Sequence, residues 1–91
     1  MAVTVRIPTP LRALVGGARE LQVEGATLGE VLEHLGREHP QLAERLFDEQ
    51  GELRRFLNVF VGEEDIRFLD GLATPLSHGE TVSILPAVAG G

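Results

Sequence analysis

Residues 25–35 read "GATLGEVLEHL", and the spacing of their apolar side chains is that of a helix with one greasy side. Thr27 and Glu30 have the S/T-x-x-E spacing of a capping box, in which the hydroxyl and the carboxylate each satisfy a backbone N–H at the helix start. Leu28, Val31, Leu32 and Leu35 then fall at i, i+3, i+4 and i+7, a single stripe able to lie on a sheet. Gly36 weakens the helix. Pro40 ends it, because the residue before a proline avoids the helical region.

Strands flank this helix on both sides. Upstream, Val3, Val5 and Ile7 alternate with Thr4 and Arg6, the period of a half-buried strand. The prolines of "PTPLRAL" interrupt it, Gly16-Gly17 reads as a turn, and "ELQVE" alternates again through Leu21 and Val23, predicting an antiparallel hairpin. Downstream, "PQLAERLF" has a proline in a first-turn position and Leu42 and Leu46 four apart, a short second helical turn. "DEQGEL" reads as a polar loop. "RFLNVFV" is apolar on both parities: Leu57, Val59 and Val61 on one face, Phe56 and Phe60 on the other. That makes a strand buried on both faces, or one whose second face awaits a partner. "GEED" reads as a turn, "IRF" as a short edge strand and "TVSIL" as the last strand, with Val82 and Ile84 facing one way.

The order is strand, strand, helix, then strands. A helix on one side of a small mixed sheet is an α+β arrangement, and the ubiquitin-like β-grasp is one fold with that order. No repeat or interior linker divides the chain, so residues 1–86 are read as one domain and residues 87–91 as a flexible tail ending in Gly90-Gly91.

Composition narrows the function. The 91 residues carry a net charge of -6, which argues against a grip on nucleic acid and suits a basic protein partner. With no cysteine, disulfides, thiolate catalysis and cysteine-bound zinc are excluded. No apolar run approaches the roughly 20 residues that span a bilayer, and "MAVTVRIPTP" lacks the plan of a signal peptide. The expected setting is soluble and cytoplasmic, away from membranes. His34 and His39 are five apart across a helix end and read, like His78, as solvated. The carboxylates of "GEED" and "DEQGE" lie in polar loops rather than in the dissimilar, buried settings that acid–base pairs use. No nucleophile turn or phosphate cradle is present. No catalytic residue, metal ligand or permanently bound cofactor is therefore expected.

The tail, "AVAGG", has two readings that composition leaves open. It is a frayed end of small residues, or a thin leash that carries its terminal carboxylate into a partner's active site. Glycine suits the second, because a narrow channel excludes any Cβ. Phe60 and Leu85 have the parity opposite to Val59 and Ile84, so with Pro86 they either form an exposed apolar patch beside the tail or are covered by a loop.

From Arg55 onward, "RFLNVFVGEEDIRFLDGLATPLSHGETVSILPAVAGG" resembles the ThiS/MoaD family of ubiquitin-like sulfur carriers. The matching features are the strand with a central Asn58, the loop "TPLSHGE", the closing "TVSILP" and the terminal Gly90-Gly91. The opening strand and the "GATLGEVLEHL" helix also fit. The long form "GLATPLSHGETVSILPAVAGG" looks most like CysO-type carriers, while "REHPQLAERLFDEQGELRR" is longer than in minimal ThiS proteins.

The resemblance implies a β-grasp fold with one main helix packed across a mixed sheet. It implies that Gly91 is the attachment point, its carboxylate adenylated by a ubiquitin-activating-type enzyme that consumes ATP and then converted to a thiocarboxylate. Ala87, Val88, Ala89 and Gly90 would enter the partner's active site; the patch that strand parity offers at Phe60, Leu85 and Pro86, if open, is the candidate docking surface. The sulfur acceptor implied for CysO-type carriers is a PLP-dependent cysteine synthase. A MoaD-type subunit of molybdopterin synthase and a ubiquitin-like protein modifier are the alternatives. In each case the chain is a substrate or subunit of enzymes and not itself one.

Overall fold

The computed structural model describes residues 2–86. Residues 87–91, and with them every expectation for Ala87 to Gly91 and for a separate tail, lie outside the described residues.

Five strands form one mixed sheet: β1 (Ala2–Arg6), β2 (Glu20–Glu24), β3 (Leu57–Val61), β4 (Glu64–Asp65) and β5 (Thr81–Pro86), in the order β2-β1-β5-β3-β4. The first and last strands run parallel side by side, with Val5 opposite Val82, and every other pairing is antiparallel. Two helices follow the opening hairpin, α1 (Leu28–Glu38) and α2 (Pro40–Leu46). This is the expected β-grasp.

Helix α1 starts where its sequence says it should. The Thr27 hydroxyl accepts the Glu30 N–H at 3.3 Å, and the Glu30 carboxylate reaches back to the Ala26 N–H at 3.0 Å. Leu28, Val31, Leu32 and Leu35 are all buried against the inward residues Val3, Val5, Val59, Val82 and Ile84 in one core. Each fully buried side chain of this size contributes roughly 1.5–3 kcal/mol. Gly36 has a packing reason to be there: a Cβ on it would stand 3.0 Å from the Ala43 Cβ, so its absence lets α2 close onto α1.

One local reading gains detail and another is corrected. The proline-rich interruption is a 3-10 helix, Thr9–Val15, that buries Leu11 and Val15 and stops at Gly16 with φ 69°. The segment "IRF" is also a 3-10 helix, Ile66–Phe68, and the edge strand falls immediately before it on Glu64–Asp65, so only Gly62 and Glu63 of "GEED" make the expected turn. The Asp65 side chain decides this by accepting the Arg67 N–H at 2.9 Å, which turns the backbone out of the ladder.

The loop "TPLSHGE" is tied to the start of α1. The Leu28 N–H donates to the Thr74 carbonyl at 3.0 Å and the Leu76 N–H to the Ala26 carbonyl at 2.9 Å. Buried Thr74 holds its own turn, its hydroxyl donating to the Gly71 carbonyl at 2.7 Å. These ties bring the chain to the start of β5.

Candidate functional site

Strand β5 delivers the chain to Pro86, which pairs in register with Leu57 at the start of β3. The site is therefore the end of the sheet around Leu85 and Pro86. Alternation along β5 sends Val82 and Ile84 into the core and Ser83 and Leu85 to the opposite face. On that outer face Ser83 lies between Arg6 of β1 and Phe60 of β3, and Leu85 lies opposite Asn58.

Leu85 is 49% exposed, while Phe60 and Pro86 are half-buried. The sequence-predicted apolar patch is thus a small one, with Leu85 as its open part. Two further exposed aromatic side chains stand elsewhere: Phe56 just before β3, and Phe68, 84% exposed, at the end of its 3-10 helix. Reading "IRF" as a strand hid Phe68, because a strand places residues 66 and 68 on the same face.

Asn58 takes a hydrogen bond from the Arg67 guanidinium, which also lies 3.4 Å from the Asp65 carboxylate. The outer face beside Leu85 is thereby held by a short polar chain that joins β3 to the segment after β4. On the other side Arg6 lies 3.7 Å from Glu20 of β2. The Arg6–Glu20 pair is largely solvated and contributes little to stability, whereas the Asp65 side chain of the other pair is only 17% exposed. Their effect is to fix side chains around the end of β5.

The other candidates have structural work. His34 is not simply solvated: its Nδ1 lies 2.7 Å from the Glu24 carbonyl, joining α1 to β2. The Asp48 carboxylate accepts the N–H groups of Gln50 and Glu52, closing the turn that "DEQGEL" makes. Among the described residues, no group of His, Asp and Glu is placed to hold a metal ion. No helix there is long and apolar enough to cross a membrane.

The relatives are consistent with that geometry. Sulfur carrier protein CysO of Mycobacterium tuberculosis is 48% identical over 93 residues, with 100% of both chains covered. Small archaeal modifier protein 3 of Haloferax volcanii is 44% identical over 68 residues, 75% of this chain and 73% of that protein. A chain in the crystal structure of the Amycolatopsis orientalis BexX/CysO complex superposes with a TM-score of 0.90 at 46% identity, covering 99% of this chain and 100% of that one. The model of the ThiS family matches residues 5–91, from the first strand through to Gly91, and the chain belongs to that family.

Proposed function

We propose that the chain is a cytoplasmic sulfur carrier whose working group is the carboxylate of Gly91. The observation that supports this most is the end-to-end similarity to a sulfur carrier, at 48% identity. A partner enzyme of the ubiquitin-activating type joins the Gly91 carboxylate to the α-phosphate of ATP, with pyrophosphate leaving. A sulfur nucleophile then displaces AMP at the acyl carbon, leaving a thiocarboxylate. The carrier holds no cofactor. Its thiocarboxylate passes to an accepting enzyme, with cysteine synthesis on a PLP-dependent synthase the acceptor we favour.

The folded domain positions the group and the partners do the chemistry. Strand β5 ends one residue past Leu85, the exposed apolar residue of the outer face among the described residues, so docking there would fix where the tail begins.

Deleting Gly91 leaves an equivalent carboxyl on Gly90, short by at most about 3.3–3.6 Å. A misplacement near 1 Å can cost about a hundredfold in rate, so adenylation should collapse while the melting temperature stays that of the full chain. Intact-protein mass after incubation with the activating enzyme, ATP and a sulfur source reads this directly. The full chain should gain the difference between sulfur and oxygen, and the shortened chain should not. Equal thiolation of both would sink the proposal.

The modifier relative supports a second reading, attachment of Gly91 to amines of other proteins. All eight basic residues of this chain are arginine. It therefore offers no lysine ε-amine to a second copy, and any adduct should carry single units. Isopeptide-linked peptides ending in this tail, sought in digests of cellular protein, separate this reading from the first.

A further inference from the structure

The sequence spreads its arginines from position 6 to position 67, and the fold gathers six of the eight around the root of the tail. On one flank, β1 ends beside β5, with Arg6 opposite Ser83. The Ile7 N–H donates to the Arg19 carbonyl at 2.8 Å, and the Arg12 Nε donates to the Ile7 carbonyl at 2.9 Å. Arg6, Arg12 and Arg19 thus line one cleft of about 770 Å³ with Ser83 and Leu85. On the other flank, Arg54 and Arg55 come just before Leu57, the partner of Pro86, and Arg67 is fixed to Asn58. These three line a second cleft of about 350 Å³.

Each cleft is lined by three arginines and a single acidic residue, Glu20 in the first and Asp65 in the second. Of the fourteen Asp and Glu residues, twelve therefore lie outside the clefts, against two arginines. A chain of net charge -6 has its positive charge concentrated where the tail leaves. The sum suggested a basic partner; the arrangement reverses that expectation at this end of the molecule.

We propose that these arginines form a collar that docks on an acidic rim around the opening through which a partner protein receives the tail. The proposal rests on the carrier reading, in which the tail enters a partner. The planar guanidinium fork matches carboxylates in pairs. Clefts on both flanks of β5 let the partner close around the strand end. Their floors include Ile7, Ile84 and Leu85 on one side and Leu57, Val59 and Ile66 on the other, a mixture of charge and apolar surface that suits a protein. A polyanion long enough to span the molecule would meet the acidic remainder of its surface.

The test is a double charge reversal, Arg19→Glu with Arg55→Glu. Neither side chain has a hydrogen bond or ion pair among the described residues, so the change breaks no internal bond. The control is Arg37→Glu with Arg45→Glu on the helices, which alters net charge equally. Initial rates of pyrophosphate release by the activating enzyme are measured at about 50 mM and about 500 mM salt. The collar variant should show a KM raised about tenfold or more at low salt with kcat within about twofold, and most of the difference should vanish at high salt. The control should stay within about twofold of the natural chain.

An unchanged KM in the collar variant, or an equal rise in the control, overturns the collar and leaves the carrier reading standing. A natural chain that the enzyme does not adenylate removes the carrier reading and the collar with it. Retention of a labelled single-stranded RNA by the natural chain and not by the collar variant assigns the arginines to a polyanion and overturns the proposal; no retention supports it.

Discussion

The two faces of the sheet come from the same strands and have opposite characters. Inward, Val3, Val5, Val23, Val59, Val82 and Ile84 are at most 4% exposed. Outward, one residue along each strand, stand Thr4, Arg6, Gln22, Asn58, Phe60, Ser83 and Leu85. Helix α1 covers the first face and no element of the described residues closes the second over Leu85. The contrast teaches where each kind of constraint acts. The inward face is set by burial and tolerates little, whereas the outward face is free of packing demands and can be shaped by what docks on it.

Leu32→Ala tests the covered face and should have the largest effect. Leu32 is 0% exposed, and truncating a residue so placed costs roughly 2–5 kcal/mol. Urea unfolding should show a lower midpoint with an unchanged slope. A loss within about 0.5 kcal/mol, the size expected at a surface site, would mean that the helix does not carry the core and that the two faces are more alike than they look.

Gly25→Ala probes how tightly the helix is set against the sheet. A Cβ at position 25 would lie 2.8 Å from the Val31 backbone N and 2.6 Å from its Cγ2. Backbone cannot step aside as a side-chain tip can, so α1 or the turn before it must shift. We expect a loss of roughly 1–3 kcal/mol, the usual cost of overpacking. A thermal melt unchanged from the natural chain would show slack between β2 and α1.

Much of the covered face was legible in the sequence because its signals are local and periodic. Thr27 and Glu30 announce the helix by spacing alone, and the valines of β1 and β5 show their parity within a few residues. What escaped depends on contacts between distant parts of the chain. Gly36 reads as a weak helix residue until Ala43 is brought against it. Ile66 and Phe68 would share a face in a strand; the Asp65 cap makes a 3-10 turn that buries the first and exposes the second. The arginine collar was hidden because net charge is a sum without positions. Arg6 and Arg19 come to one flank of β5 and Arg55 to the other only through the pairing of β1, β2 and β3. The chemistry assigned to Gly91 came from resemblance, since two glycines at a chain end carry no pattern of their own.

Leu85→Thr tests the uncovered face and should have the smallest effect on stability. Threonine is β-branched and suits a strand, so the substitution removes apolar surface without disturbing the ladder that pairs β5 with β3. Because Leu85 is 49% exposed, the unfolding free energy should change by about 0.5 kcal/mol or less. Binding is another matter. Interface energy concentrates in a few well-packed anchors, and Leu85 lines the first arginine cleft one residue before the end of β5. Affinity for the activating enzyme, measured by titration calorimetry, should fall about tenfold, equivalent to about 1.4 kcal/mol. The opposite outcome is equally informative. A stability loss above about 1 kcal/mol with binding intact would make the outer face a second packed layer, and the division between a face that folds and a face that docks would fail at the residue where it matters most.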